Sequence, residues 1–297
     1  MTIPASPAAT GTNRTGELQH RFQPAIVRRD LRVSRVEEIT LRYRRIVLTG
    51  DVLAQGYPFV RFACNDHVKV YFPNPRTGQI VAYRETAGGG WEPDSDSGAP
   101  IRRDYTPRAW NPEARELTVD FVLHEHGVAG VWASRAVPGD ELVVMGPRAN
   151  WLLPENYPHY LAAGDETAIP AISRLVEEAP PGARVTAVIE VADPAEEQRL
   201  TVGAGVDLDL RWVHRDTAPV EADHGSALET AVRRIDLPED PDALYAFAAG
   251  EAGTMKPIRR YLRNELGLPG RQTCVDGYWK RGTADHDHHT SEPDDEN

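Results

Sequence analysis

The chain has 297 residues, of which 40% are hydrophobic and 26% are charged, as in a globular protein of about two domains. Its formal net charge of −12 argues against nucleic acid as the main partner, because binding phosphates needs a basic surface. The two cysteines, Cys64 and Cys274, exclude a disulfide framework and an iron–sulfur cluster held by four thiolates.

The two ends of the chain differ from the rest in composition. Residues 1–22 are polar and lack the apolar core of a signal peptide, so they are predicted to be disordered. Residues 283–297 hold six acidic residues and no Lys or Arg, which predicts an acidic disordered tail. No apolar run approaches the ~18 residues of a membrane span. We therefore expect a cytoplasmic, monomeric protein without a membrane span.

Residues 26–84 contain several short segments in which β-branched residues alternate with charged ones. Turn signals rich in Gly and Pro separate these segments, a pattern typical of a small antiparallel barrel. Within it, Lys69 falls on the strand face opposite to Val68 and Val70. Lys69 is therefore either a solvated strand lysine or a residue that faces a ligand.

The stretch Arg103-Asp104-Tyr105-Thr106 suits a flavin dinucleotide. In an extended chain Arg103 and Tyr105 share one side. A guanidinium can bind a pyrophosphate through two hydrogen bonds. A phenol ring can lie on the isoalloxazine, and a hydroxyl can bond a ring nitrogen.

A Gly- and Asp-rich excursion at 85–100 precedes that stretch, and an apolar strand ending in the sequence LHEH follows it. The strand leads into the small-residue segment 127–134, GVAGVWAS. Such a strand-to-turn segment can present backbone N–H groups to a phosphate. Taken alone, such a generic strand-turn-helix pattern indicates little about a ligand.

Beyond residue 156 strand patterns alternate with helix patterns, which predicts a parallel doubly wound sheet. Ligands of such sheets bind beyond the carboxyl ends of the strands. Three turns fall there, at 164–167, 190–193 and 250–253. The segment contains neither G-x-G-x-x-G nor a Walker-type loop, so the sequence supports neither the usual dinucleotide fingerprint nor a P-loop.

Five stretches in order, HVKVYFP, RDYTPR, FVLHEHGVAGVWAS, AAGDETAIPAISR and GEAGTMKPIRRYL, with GYWKRG at the close, resemble the siderophore-interacting protein family of ferredoxin-reductase-like enzymes. The resemblance spans about residues 25–282, and its most specific parts are GDETAIPAI and GYW. It implies an antiparallel β-barrel FAD-binding domain at 23–155, followed by an α/β parallel-sheet NAD(P)H-binding domain at 156–282. The implied reaction is reduction of an Fe(III)-siderophore to release Fe(II), with electrons passing from NADH or NADPH through FAD.

The resemblance also implies roles for single residues. Arg103 is expected to hold the FAD pyrophosphate, Tyr105 to pack on the isoalloxazine, and Thr106 to bond the ring near its reactive nitrogen. The remaining members of the implied cofactor set are Val122 and His124 beside the flavin, the diphosphate donors Gly130, Val131, Ala133 and Ser134, Thr167 between flavin and nicotinamide, and Trp279 closing over the flavin. Thr106 and Thr167 are the candidate catalytic residues. Helix capping by Thr167 and a C-terminal anchor at Trp279 stay open as alternatives.

Substrate and nicotinamide residues are expected elsewhere. Many ferric siderophores are anionic, so an acidic protein needs a local basic patch, for which the candidates are Lys69, Lys256 and Arg259. Asp193 can accept from the ribose diol of NADH, and Arg215 can meet the 2′-phosphate of NADPH. Glu251 is a third nicotinamide candidate, and the pattern slightly favours NADH. No metal ligand set is expected.

Two alternatives remain at the level of function. The first is a flavin reductase of the same superfamily whose acceptor is not a siderophore. The second is a siderophore-binding protein without redox turnover, which predicts tight ferric-siderophore binding and no bleaching of a flavin by nicotinamide.

Overall fold

The computed structural model describes Asn13, Gly16, Glu17 and residues 19–22, 26–125, 127–147 and 149–283. The predicted acidic tail, beyond its first residue, and most of the predicted N-terminal disordered segment lie outside the described residues. The chain divides into two compact units. One contains Gln19–Leu152, and the other contains the chain from Leu153 onward together with Asn13, Gly16 and Glu17.

The first unit is built almost entirely from strands. Its strands are β1 Gln19–Phe22, β2 Arg28–Thr40, β3 Tyr43–Thr49, β4 Val68–Tyr71, β5 Tyr83–Glu85, β6 Trp91–Pro93, β7 Arg102–Tyr105, β8 Pro107–Asn111, β9 Glu116–Val122, β10 Glu141–Met145 and β11 Ala149–Leu152. Helix α1 is Val128–Arg135, and a short 3-10 turn is Asp51–Gln55. Seven strands form one antiparallel sheet in the order β7-β4-β10-β2-β3-β9-β8.

The two edges of this sheet are consecutive in the chain. β7 ends at Tyr105 and β8 begins at Pro107, so only Thr106 separates the two edge strands. A sheet of seven strands can place its edges one residue apart only by curling on itself, and the expected antiparallel barrel architecture is confirmed. Its interior is filled by alternate residues of the strands, among them Leu31, Val33, Ile46, Leu48, Val68, Val70, Leu117, Val119 and Val144.

Two short pairings flank the barrel sheet. β5 and β6 form an antiparallel hairpin at the Gly- and Asp-rich segment 85–100. β1 pairs with β11 in an antiparallel ladder, although its sequence lies in the segment predicted to be disordered. That prediction is wrong for residues 19–22, because pairing with a partner strand orders a backbone whose composition alone favours disorder.

The second unit alternates strands and helices. Its elements are β12 His159–Gly164, α2 Ile169–Glu178, β13 Arg184–Val191, β14 Asp207–His214, α3 Ala227–Arg233, β15 Leu244–Glu251, α4 Ala252–Arg260 and β16 Thr273–Trp279. Short 3-10 turns lie at Glu166–Ala168, Pro194–Glu196, Pro241–Ala243 and Gly270–Gln272, and a π-turn at Tyr261–Glu265 extends α4. The five strands are parallel in the order β14-β13-β12-β15-β16, which confirms the predicted parallel sheet.

This strand order reverses direction between β12 and β15. At such a switch point the two following connections leave on opposite faces and open a crevice at the carboxyl ends of the strands. Gly164 ends β12, and an added Cβ there would lie only 2.4 Å from the carbonyl oxygen of Ala249 on β15. The close approach of the two strand ends therefore requires glycine at this position.

The sheet of the second unit has two edge strands, β14 and β16. β14 carries charged residues on alternate positions, and Arg211 there pairs with Asp209 at 2.8 Å. β16 is not evident from the sequence, since Thr273–Trp279 lacks an alternating apolar pattern and contains a glycine, Gly277. Within the part of the chain that the structure describes, no helix is long and apolar enough to cross a membrane.

Candidate functional site

In the first unit, strand β7 presents Arg103 and Tyr105 on the same side. Arg103 is in register with Val70 and Tyr105 with Val68, and both valines are buried in the barrel core. The shared side expected for Arg103 and Tyr105 is thus confirmed. The Arg103 guanidinium donates from Nη1 to the carbonyl oxygen of Arg102 at 2.5 Å.

The ring of Tyr105 belongs to an aromatic cluster. Its centroid lies 4.4 Å from that of Phe121 on β9 and 6.2 Å from that of Phe72. Both phenylalanines also pack on Trp132 of α1, at 5.9 and 5.6 Å. Burial raises the pKa of the Tyr105 phenol, because the charged phenolate is disfavoured away from water. The cluster joins the end of β7 to helix α1.

Lys69 lies on the other face of the sheet from Arg103 and Tyr105. It stands opposite Asp104, and its ammonium donates to both oxygens of that carboxylate at 2.9 and 3.0 Å. Lys69 is thus neither a fully solvated lysine nor a partner of the Arg103 face. Thr106 is buried, with 6% of its surface exposed, at the junction of the two sheet edges.

Helix α1 contains all four predicted diphosphate donors, and the structure separates them. The helix begins after Gly127, whose φ of 86° suits glycine, so the first-turn N–H groups of Val128, Ala129 and Gly130 lack intrahelical acceptors. These groups are the ones a helix start offers to an anion. Val128 and Ala129 are not among the predicted donors, because the small-residue segment does not show where a helix begins.

The rest of α1, from Val131 onward, does not offer such donors. In helical geometry the N–H groups of Val131, Ala133 and Ser134 point back to carbonyls four residues earlier. The Ser134 hydroxyl donates to the Val131 carbonyl at 2.8 Å, and Arg44 donates to the carbonyls of Ala133 and Ser134 at 3.0 and 2.8 Å. The expected backbone donation from these three residues is not supported by the helix geometry.

His124 lies against the start of α1. An added Cβ at Gly130 would come within 2.9 Å of three ring atoms of His124, so the glycine leaves the space that the imidazole occupies. Val122 is the last residue of β9, paired with Tyr43. Val122 and His124 therefore flank the same end of β9 from which α1 starts.

In the second unit, the carboxylate of Asp165 accepts hydrogen bonds from residues at the ends of three strands. Asp165 follows β12, and its Oδ1 accepts from the N–H of Thr167 at 2.9 Å and from the Thr167 hydroxyl at 2.5 Å. Its Oδ2 accepts from the N–H of Glu251, at the end of β15, and from the indole N–H of Trp279, at the end of β16, both at 2.8 Å. The structure thus brings together Thr167, Glu251 and Trp279 around a residue that the sequence did not single out.

Asp165 is buried, with 4% of its surface exposed. Burial, aided by the neighbouring Glu166, raises the pKa of Asp165 to about 6, while the donors from Thr167 and Trp279 lower it. The cap of the turn at Glu166–Ala168 is the Asp165 side chain, so helix capping by Thr167 itself is not observed. Trp279 is anchored through its indole N–H, as its alternative role predicts.

The predicted nicotinamide residues are engaged within the second unit. Glu251 caps α4 by accepting from the N–H of Thr254 at 2.9 Å, and it also accepts from the N–H of Arg281 at 3.1 Å. Asp193 caps a short turn by accepting from the N–H of Ala195 at 2.8 Å. These carboxylates have structural partners in addition to any ligand.

Arg215 lies just beyond β14 between two carboxylates. It donates to Glu190 at 2.9 Å and to Glu166, and these contacts raise its pKa against the opposing effect of burial. On α4, Arg259 donates to the carbonyl of Val275 on β16 at 2.7 Å, while Lys256 is exposed. The structure does not bring Arg215 and these two basic residues into the Asp165 cluster.

Models of two known domain families match the chain. Residues 32–151 match the siderophore-interacting FAD-binding domain, and residues 157–282 match the siderophore-interacting protein domain. The two matches correspond to the two units.

Two curated relatives match most of the chain. Ferric vibriobactin reductase ViuB of Vibrio cholerae is 31% identical over 82% of this chain and 86% of its own. The NADPH-dependent ferric-chelate reductase of Escherichia coli is 31% identical over 90% of this chain and 98% of its own.

Solved structures agree with these matches. A siderophore utilization protein from T. fusca is 41% identical, with a TM-score of 0.80 over 92% of this chain and 100% of its own. A ferredoxin NADP+ reductase from Neisseria gonorrhoeae, 12% identical with a TM-score of 0.55 over 85% of this chain and 99% of its own, shares the fold, which confirms the ferredoxin-reductase-like class. By its domains and its identity over nearly the full length of these relatives, the chain belongs to the siderophore-interacting protein family.

Proposed function

We propose that this protein is an FAD-containing ferric-siderophore reductase that takes electrons from NADH or NADPH. The observation that carries the proposal is the match to the Escherichia coli ferric-chelate reductase, 98% of whose length is covered by this chain. Both the flavin half and the nicotinamide half of such an enzyme then have a counterpart here. A match confined to one unit could not support the complete reaction.

The residues of the first unit fit FAD by their donor chemistry. Arg103 supplies a cation for the pyrophosphate, and the first turn of α1 supplies N–H groups that have no partner within the helix. Tyr105 supplies an aromatic surface, and the shared aromatic cluster links it to α1. We propose that Thr106 bonds the flavin ring and that Val122 and His124 border it.

The overall reaction balances as one NAD(P)H and two Fe(III) giving NAD(P)+, one proton and two Fe(II). Bound FAD supplies the conversion from hydride transfer to single-electron transfer, which no side chain can perform. Reduction releases the metal, because the hard oxygen ligands of a siderophore hold Fe(II) far more weakly than Fe(III). The protein's own residues bind and orient the reactants.

In the second unit we propose that the nicotinamide dinucleotide binds at the carboxyl edge of the parallel sheet, near the switch point between β12 and β15. Thr167 and Trp279 lie at that edge, together with Glu251. The two carboxylates on Arg215 disfavour a 2′-phosphate there, which supports NADH. The name of the Escherichia coli relative supports NADPH for that protein, so both donors belong in the test.

For the substrate we propose an anionic ferric siderophore attracted by Lys69, Lys256 and Arg259. Lys69 and Arg259 already have partners within their units, so their contribution is a local positive potential rather than an uncommitted hydrogen-bond donor. We further propose a cytoplasmic monomer, since both nicotinamide donors are cytoplasmic metabolites. The net charge of −12 supports a protein without a nucleic-acid partner.

The deciding experiment follows the visible spectrum of the purified protein anaerobically, first with NADH or NADPH and then with a ferric siderophore. We expect a flavin spectrum that bleaches with nicotinamide and recovers with the ferric chelate, while an Fe(II) chelator traps the product. A colourless protein that takes up no FAD but binds ferric siderophore would instead make it a binding protein. Flavin that bleaches and ignores every ferric chelate would indicate a reductase with another acceptor.

A further inference from the structure

In the part of the chain that the structure describes, every hydrogen-bond partner of the Asp165 carboxylate is a donor. The backbone N–H and hydroxyl of Thr167 face one oxygen, and the N–H of Glu251 and the indole N–H of Trp279 face the other. Only a group that accepts at both oxygens satisfies four such donors, and an ionised carboxylate is the side chain with that property. The buried site therefore selects aspartate by its hydrogen-bonding capacity as well as by its size.

We propose that Asp165 is a positioning residue for nicotinamide in the flavin-reduction step, acting through Thr167 and Trp279. The inference rests on the proposed function and adds a residue to it. Because Asp165 is buried, it acts on the nicotinamide through Thr167 and Trp279, which are both partly exposed. Its role is to fix the direction of the Thr167 hydroxyl and the plane of the Trp279 indole.

The hydrogen bond from Thr167 to Asp165 sets the polarity of that hydroxyl. Its single proton is directed at Asp165 Oδ1, 2.5 Å away, so the oxygen presents only lone pairs to the crevice. An oxygen in this state accepts hydrogen bonds. The NH2 of the nicotinamide carboxamide is a matching donor, and we assign Thr167 as its acceptor.

The backbone around Asp165 leaves little freedom for another arrangement. Gly250 has φ 153°, and an added Cβ there would lie 2.7 Å from Asp165 Oδ2. The carboxylate thus fills the space beside a glycine at the end of β15, while Trp279 closes it from β16. The four hydrogen bonds and this packing hold the three strand ends in one geometry.

Asparagine cannot replace this carboxylate. If its amide oxygen faces Thr167, its NH2 group meets the N–H groups of Glu251 and Trp279, donor against donor. If the amide is reversed, its NH2 group meets the N–H of Thr167. Each orientation leaves buried donors without acceptors, which is costly even though the shape is preserved.

The test compares wild type with Asp165→Asn, Thr167→Val, Thr167→Ser and Trp279→Phe. We expect all variants to retain FAD, because the residues proposed to hold its pyrophosphate and ring, Arg103, Tyr105 and Thr106, are unchanged in each of them. Asp165→Asn should lower the rate constant of anaerobic flavin bleaching at saturating NAD(P)H by about tenfold or more, in line with the cost of misplaced reactants. Thr167→Val should also lower this rate constant, whereas Thr167→Ser, which keeps the hydroxyl, should restore most of the lost rate.

Two further readouts separate positioning from a general loss of structure. The near-UV circular dichroism of Trp279, taken as the difference between each protein and its Trp279→Phe counterpart, should change in Asp165→Asn with no nicotinamide present. The bleaching rate of wild type should fall as the pH drops through about 6, and that of Asp165→Asn should not. Charged groups near Asp165 are Glu166, which Arg215 partners, and Glu251, which caps α4.

Glu229→Gln is the matched control, since Glu229 is also a buried carboxylate of the second unit that accepts from a backbone N–H and from an arginine. We expect it to lose stability while keeping the wild-type bleaching rate and pH profile. Wild-type rates and an unchanged Trp279 signal in folded Asp165→Asn would overturn the proposal. Absence of bleaching in wild type would instead overturn the proposed function, so the two failures are distinguishable.

Discussion

At the residue scale, Arg102 and Arg103 are adjacent on β7 yet serve opposite faces of the sheet. Arg102 lies over the ring of Tyr83 at 5.8 Å, whereas Arg103 is in register with Val70 of the barrel core. The two arginines therefore form a natural pair of test and control. They lie on opposite faces of the sheet, but they belong to the same strand and carry the same charge.

We expect Arg103→Ala to yield protein without flavin, because the charge-assisted contact that we propose between Arg103 and the pyrophosphate is lost. Such a contact contributes about 1.5–3 kcal/mol, or roughly a 10- to 100-fold change in FAD affinity. FAD per protein, measured by absorbance after purification and after titration with FAD, checks this. Arg102→Ala should retain FAD, and stoichiometric FAD in Arg103→Ala would refute the assignment.

A second prediction follows from the close approach of His124 to Gly130. Gly130→Ala should destabilise the first unit, since its Cβ would collide with the imidazole, although alanine favours helix by about 1 kcal/mol. In a His124→Ala background the same change should be neutral or stabilising. Urea unfolding of the four proteins measures the coupling between the two sites, and additive effects would mean that the ring moves aside freely.

Some of the site is predictable from sequence at this scale and some is not. The shared face of Arg103 and Tyr105 follows from the two-residue period of a strand, so local spacing was enough. The role of Asp165 depends on Glu251 and Trp279, which are far away in the chain, and on the order of the strands that carry them. The spacing of residues within GDET does not show which distant residues will contact Asp165.

At the scale of elements, the approach of β12 to β15 at the switch point depends on Gly164. A Cβ there would lie 2.5 Å from the Cβ of Ala168 as well as 2.4 Å from the Ala249 carbonyl. We expect Gly164→Ala to lower the free energy of unfolding by about 3 kcal/mol, as overpacking does. Thermal melts provide the check. Gly270→Ala, where a Cβ meets nothing within 4 Å, should stay within about 0.5 kcal/mol of wild type.

Elements with strong periodicity were predictable, and elements defined by their partners were not. The strands and helices from β12 to α4 follow from apolar runs and amphipathic spacing in the sequence. β16 is a strand because it pairs in parallel with β15, and β1 is a strand because it pairs with β11. Pairing between distant segments leaves no local signature in the sequence of either strand.

At the scale of the whole molecule, stability should depend on pH through Asp165. Its pKa is raised to about 6 in the folded state, so the folded protein binds this proton more tightly than the unfolded chain. The resulting contribution is complete below about pH 4 and is lost as the pH rises through 6. We expect the stability of wild type relative to Asp165→Asn to fall by about 2–3 kcal/mol between pH 4 and 7.

Urea titrations of both proteins across this range provide the measurement. Comparing the difference between the two proteins removes the effect of other acids. Asp94, Glu116 and Asp209 have pKa values lowered by arginine partners, and their contributions are lost toward low pH instead. A constant difference between the proteins would show that Asp165 has an ordinary pKa.

The charged edge strand β14 also has a consequence for how copies of this protein behave in a concentrated solution. An edge strand with unpaired backbone groups can template a strand from a neighbouring molecule, and Asp209 and Arg211 place charges along that edge. A double change to Asp209→Thr and Arg211→Thr removes both charges and raises strand propensity. We expect that variant to self-associate with rising concentration in light scattering, while wild type does not. The ion pair on β14 would then be a safeguard against aggregation.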